Sequence, residues 1–239
     1  MVATVSDILT TLSCWAPLDT AESWDNCGLQ VGDLSKPINT ILVALEIDKA
    51  VLERLQHSPV DLVITHHPII FRPLQRLDVT TDIGQILQTC IQTNTAVISM
   101  HTNLDVAKGG VTDCLLAAYG LDSTQAKPMA SSGLGRYLSG SFSPDVIASR
   151  PYKKIVGTLP DTISKIGFCG GSGKSLLSRA AQLGVDVFVT GEIGYHDEVW
   201  CGFSGLCVVV LGHKESEDVI VPEIAKRVGA AHDVLVDVM

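Results

Sequence analysis

Two adjacent histidines, His66 and His67, interrupt an apolar run that reads Val63-Ile64-Thr65-His66-His67-Pro68-Ile69-Ile70-Phe71. Imidazole is the commonest metal-ligating side chain. Neighbouring side chains in a regular strand point to opposite faces, so both rings can serve one site only where the strand ends and the backbone turns. Pro68 lacks an N–H and biases His67 away from the helical region, which predicts such an end at this point. Further metal-capable groups follow other apolar runs: His101 and Asp105 after the next, Glu192 and His196 after a third, His213 and Glu217 after the last. Imidazoles and carboxylates without paired thiols suit Zn, Mn, Fe or Co and disfavour a cysteine-rich structural zinc site. Several such ligands with a bridging carboxylate could hold two divalent ions about 3.5–4 Å apart, as in two-metal hydrolases. Two divalent ions set against Asp105, Glu217 and one shared hydroxide leave a net charge of about +1, which favours an anionic substrate such as a phosphate ester or nucleotide.

The elements that must position these groups are short and β-branched. Strands are predicted at Thr40–Leu45, Leu62–Thr65, Ala96–Met100, Lys165–Cys169, Val185–Thr190 and Leu206–Leu211. Helical patterns lie around Lys49–Leu55, Asp82–Thr93, Val111–Tyr119 and Leu176–Leu183. An N-terminal helix is expected with Ser6 as its cap, and a late helix either follows Ser216 as cap or starts near Val221, because of Pro222. Strands alternating with helices imply an α/β fold with a largely parallel sheet covered on both faces, and open sheets of this kind bind ligands outside the carboxyl ends of their strands. Residues 123–160, rich in Gly, Ser and Ala, read as a mobile excursion. Two pairs of segments resemble each other, "DLVITHHP" with "DVFVTGEI" and "VISMHTNLD" with "VVLGHKESE", which suggests an internal duplication.

Bulk properties narrow the function. The chain has 239 residues, 46% hydrophobic and 18% charged, and a formal charge of −9, so it is a well-packed globular protein that argues against sequence-independent nucleic-acid binding. No apolar run is long enough to span a bilayer, and the N-terminus lacks the basic and apolar regions of a signal peptide. Seven scattered cysteines without a C-x-x-C favour reduced thiols in a cytoplasmic protein. The stretch "GFCGGSGKS" fails the P-loop spacing, since Phe168 stands where the first glycine is required. Cys27 and Cys169 lack a visible base partner and read as small buried thiols.

The stretches "ESWDNCGLQVGD", "THHPIIF", "HTNLDVAKGGVTD", "TGEIGYHDE" and "GHKESE" resemble, in this order, the Nif-three-like dinuclear-metal family, also labelled GTP cyclohydrolase type 2-like. The resemblance runs from about residue 5 to about residue 230. It implies a three-layer α/β/α fold of one domain over 1–239, made of two related, intertwined halves (about 1–122 and 161–239) joined by 123–160. It implies two divalent metal ions held by His66, His67, Asp105, His213 and Glu217, with His101 beside them, and Glu192 and His196 as further catalytic or outer candidates. It also implies a homohexameric ring with the sites facing an internal cavity. Asp25 and Asn26 are expected to orient a loop. The connector is too short for the additional domain that some relatives carry. The expected activity is hydrolysis of a phosphorylated or nucleotide-like substrate, with ring opening of a purine as a special case. The alternative is a non-enzymatic ring that stores metal or scaffolds a partner. Five ligands for two ions leave coordination positions open, which favours catalysis.

Overall fold

A computed structural model describes residues 2–239. The fold is α/β with two mixed sheets, and the chain divides into two compact units. The first comprises residues up to Leu104 together with Val221–Met239, and the second runs from Asp105 to Ile220.

The sheet of the first unit has the order β1-β4-β3-β2-β11, from β1 (Gly28–Val31), β2 (Thr40–Ala44), β3 (Leu62–Thr65), β4 (Ala96–Ser99) and β11 (Leu235–Val238). Its members run parallel except β1, which pairs antiparallel with β4. β3 and β4 are buried at every position, as a sheet covered on both faces requires. Helices α2 (Lys49–His57) and α3 (Asp82–Gln92) pack together over Leu42, Val63 and Val97. Helix α1 (Val5–Trp15) packs with α10 (Val221–Ala231), which lies on β2 and β11. The cap of α1 is Thr4 and not the expected Ser6, two residues later: Thr4 Oγ1 accepts from the Asp7 amide while Asp7 accepts from the Thr4 amide, which closes a capping box.

The second unit holds the sheet β5-β6-β8-β9-β10-β7, with β5 (Lys127–Pro128), β6 (Arg136–Phe142), β7 (Lys154–Val156), β8 (Ile163–Ser172), β9 (Val187–Glu192) and β10 (Cys207–Val210). β8, β9 and β10 are parallel; the others are antiparallel additions. Helix α5 (Val111–Ala118) lays Leu115 and Leu116 on one face against Ile166, Phe168 and Val189. On the other face α7 (Leu177–Gln182) and α8 (Tyr195–Ser204) cover Phe188 and Val208. The remaining helices are single turns: α4 (Thr102–Val106), α6 (Asp145–Ala148) and α9 (His213–Glu217).

The expectation of a mobile excursion over 123–160 is corrected by β6. Buried Arg136 donates through Nε to Asp113 Oδ1 at 3.0 Å and through its other nitrogens to the carbonyls of Val106, Ala107 and Gly135. A buried guanidinium with this many acceptors holds the segment in the sheet, and small residues around it hid the strand from a periodicity reading.

The repeated segments have a common physical meaning. Asp61 Oδ2 accepts from the amides of Asn39 and Thr40 at 2.9 and 3.1 Å, at the entry to neighbouring β2. Asp186 Oδ2 accepts from the amides of Ser164 and Lys165 at 2.7 and 2.8 Å, beside β8. In both sheets the aspartate that opens one strand ties down the neighbouring strand that precedes it in the chain. In both, a strand then runs into a five-residue helix bearing a carboxylate: β4 into α4 with Asp105, and β10 into α9 with Glu217.

Candidate metal centre

β3 ends at Thr65, and the amides of His66 and His67 both donate to the Leu45 carbonyl at 3.1 and 2.9 Å. This turn releases the two rings from strand alternation, and their centroids stand 5.1 Å apart. His101, which follows β4, brings a third ring, 5.2 Å from that of His66 and 5.6 Å from that of His67. The three imidazoles each offer a nitrogen within 4.8 Å of the others.

What each ring does with its Nδ1 decides what its Nε2 can do. His66 Nδ1 lies 2.8 Å from the Met100 carbonyl, His67 Nδ1 3.2 Å from Glu46 Oε2, and His101 Nδ1 2.9 Å from Asp25 Oδ1. Each partner is an acceptor, so each Nδ1 carries the hydrogen and each neutral ring keeps its lone pair on Nε2. Such an outer acceptor is the usual support of a metal-ligating histidine. Asp25 is itself fixed: its side chain is fully covered, and Oδ2 accepts from the Thr102 amide at 3.0 Å and the Thr102 hydroxyl at 2.5 Å. Burial opposes its ionisation, but the hydrogen bonds from His101 and Thr102 prevail and hold its carboxyl well below the usual range.

In the second unit α9 places His213 and Glu217 on one face at i, i+4, with His213 Nε2 3.2 Å from Glu217 Oε2. Glu192, the last residue of β9, sets Oε1 3.3 Å from His213 Nδ1. An Asp105 carboxylate oxygen lies within 4.8 Å of one of Glu217. Hydrogen bonding to Glu217, opposed by burial and helped by the charges of Glu217 and Glu192, raises His213 to about 9. A proton between Nε2 and the carboxylate satisfies both, and a divalent cation would satisfy both in its place.

Two glycines make room for this arrangement. Gly171, at φ +58°, lies so close that a Cβ would sit 2.1 Å from Glu217 Oε1 and 3.4 Å from His213 Nε2. Gly212, at φ +112°, turns the chain from β10 into α9, and its conformation is one that L residues avoid. Within the glycine-rich "CGGSGKS", Gly171 therefore makes room for Glu217. Ser216 does not act as a helix cap: its hydroxyl donates to the His213 carbonyl and accepts from the Gly171 amide.

The donor set fits divalent ions. Oriented imidazoles stand in one unit and neighbouring carboxylates with a histidine in the other, which matches hard-to-borderline metals. His196 lies elsewhere: it is exposed on α8 with its ring against Tyr195, and it joins neither cluster. Cys27 and Cys169 are unsuited to nucleophilic work. Cys27 donates to Asp25 and Asn103, and burial pushes it up to about 11; burial also raises Cys169 strongly. Sequence reasoning missed Glu46, Trp24 and Phe71. A glutamate directly before an aliphatic turn has no local signal, because its partner His67 is 21 residues away.

The geometry can be set beside known proteins. A model of the Duf34/NIF3 (NGG1p interacting factor 3) family matches residues 3–239. A Clostridium perfringens protein named GTP cyclohydrolase 1 type 2 homolog is 30% identical over 237 residues, covering 94% of this chain and 90% of its own length. Among solved structures, the Staphylococcus aureus hypothetical protein SA1388 superposes with a TM-score of 0.87 at 27% identity, covering 100% of this chain and 97% of that one. Reduced HcgD from Methanocaldococcus jannaschii gives a TM-score of 0.87 at 27% identity, with 100% and 98% coverage.

Proposed function

The chain belongs to the Duf34/NIF3 family, and from that premise we propose that it is a dinuclear metal-dependent hydrolase acting on a phosphorylated or nucleotide-like substrate. The observation that carries the reading is the common setting of the three imidazoles, each with Nδ1 beside an acceptor, an arrangement that suits Nε2 to coordination. The proposed ligands of two divalent ions (Zn, Mn, Fe or Co) are His66, His67, Asp105, His213 and Glu217. Asp105 follows His101 by four residues in the chain. When bound, such ions supply Lewis acidity and lower the pKa of water.

The chain's own groups orient and hold protons. Asp25 fixes His101 so that Nε2 is the atom that exchanges a proton with substrate or binds it. Glu46 and Glu192 keep the neighbouring rings in one tautomer. The name carried by relatives, GTP cyclohydrolase 1 type 2 homolog, makes opening of a purine ring one reaction within this class. Assembly into a homohexameric ring belongs to the same proposal; the exposed side chains of Tyr195, Val199 and Phe203 along α8 are the kind of surface that a second copy covers.

Elemental analysis of untagged protein tests the reading, followed by a screen of phosphoesters and nucleotides with the loaded protein. About two ions per chain, lost in His67→Ala along with hydrolysis, is the expected result. Protein that takes up no Zn, Mn, Fe or Co would refute it. Tightly loaded protein that is inert across the screen would favour the non-enzymatic ring.

A further inference from the structure

Beside the imidazole cluster, the first unit displays two large aromatic side chains that folding leaves uncovered. Trp24 is 57% exposed and Phe71 43% exposed, yet neither is loosely placed. Their ring centroids lie 5.6 Å apart at 62°, and each meets the His101 ring edge-on, at 6.2 Å for Trp24 and 6.4 Å for Phe71. A planar ring laid on the face of one would meet the edge of the other, the two favoured aromatic geometries.

The backbone beneath them is held by a closed set of hydrogen bonds. Asn26 Nδ2 donates to the Ile70 carbonyl at 2.7 Å, the Ile70 amide donates to Gln30 Oε1 at 3.2 Å, and Gln30 Nε2 donates back to the Asn26 carbonyl at 2.6 Å. On the other side of Trp24, Asp25 is bonded to Thr102 and His101, and the Glu22 amide donates to Thr102 Oγ1 at 3.0 Å. The loops carrying Trp24 and Phe71 are thus locked to each other and to the segment carrying His101. Fixing two exposed aromatics in place gains the fold little burial, but it provides a ready surface for a flat ligand.

We infer that Trp24 and Phe71 form the subsite for the heteroaromatic ring of the substrate, so that the substrate is a base-bearing phosphorylated compound and not a simple phosphoester. This deepens the proposed function and rests on its reading of an anionic substrate at the histidines. A stacked base is worth about five- to hundredfold in affinity on an aromatic platform, whereas the phosphate would be held by the metal-bearing groups.

The test compares binding of GMP and ribose 5-phosphate by calorimetry, with and without added Mn, to the wild-type protein and to Trp24→Ala, Phe71→Ala and Trp24→Phe. Both side chains are largely outside the core, and melting curves with chromatographic mass would confirm that the variants keep their fold and assembly. A GMP preference of about tenfold or more is expected, reduced at least fivefold in each alanine variant and largely kept in Trp24→Phe, with ribose 5-phosphate affinity unchanged. If ribose 5-phosphate binds and GMP binds no better, or if the preference survives both alanine variants, the subsite is refuted while the hydrolase reading stands. A preference that depends on Trp24 but is indifferent to metal would uphold the subsite and count against the metal reading. Binding of neither probe would sink both. Loss of assembly in Trp24→Ala with an unaltered preference would show that the aromatics serve a second copy, and would also overturn the inference.

Discussion

Replacing Gly171 by alanine isolates the part of the site that depends on space alone. The added Cβ would stand 2.1 Å from Glu217 Oε1, well inside contact distance, so the carboxylate must swing away from its place beside His213. The backbone there is also left-handed, at φ +58°, which costs an L residue about 1–2 kcal/mol. Gly120 supplies the control, since its φ is +71° and a Cβ there meets nothing within 4 Å. Above about pH 9, where the proton shared by His213 and Glu217 no longer contributes, both variants should therefore lose about 1–2 kcal/mol, or about 2–8 °C in melting temperature for a chain of this size. Only Gly171→Ala should lose metal, because the end of a glutamate side chain moves at little cost to the fold while a displaced ligand weakens binding by on the order of a hundredfold. Melting curves and competitive chelator titration with Zn measure the two effects separately. If Gly171→Ala matches Gly120→Ala in metal affinity, the position of the Glu217 carboxylate has no bearing on metal binding and the proposed ligand set fails at that residue.

Glu46→Gln and Glu192→Gln should each weaken metal binding about tenfold or more by removing the carboxylate behind an imidazole Nδ1; both glutamates are exposed, so chemical denaturation should change by less than about 0.5 kcal/mol. His213 has its folded-state pKa raised by Glu217, so in metal-free protein its protonation contributes stability that is complete below its unfolded value near 6.5 and is lost as pH rises through about 9. Metal-free melting temperature should accordingly fall across that window in the wild type and less in His213→Gln. Metal uptake near pH 7.5 should release about one proton per chain from this residue, read by calorimetry in buffers of different ionisation enthalpy. Arg136→Ala should cost about 3–5 kcal/mol in urea unfolding, because it leaves the Asp113 carboxylate buried without its partner, and the paired substitution Asp113→Leu with Arg136→Met should cost less.

Much of this protein was legible in one dimension. Runs such as Leu62–Thr65 and Asp82–Gln92 announce themselves because burial on both faces, or on one helical face, imposes a composition or period that is local. Pro68 after the paired histidines, and the histidine-to-carboxylate spacing after β4 and β10, were equally local, so the candidate ligands could be named before any coordinates. β6 was not legible, since its place depends on Arg136 reaching Asp113, 23 residues earlier. Nor were the groups that make the imidazoles usable. Which nitrogen of His101 faces outward is decided by Asp25, 76 residues away, and that of His66 by a carbonyl at the end of β4. The sequence by itself determined the kinds of metal-capable side chain and the strand ends that carry them. Tertiary structure alone decided their tautomers, the room left for Glu217 by Gly171, and the locked exposure of Trp24 and Phe71. The reason is that a hydrogen-bond partner or an empty volume is set by which strands come to lie side by side, and no local pattern records that.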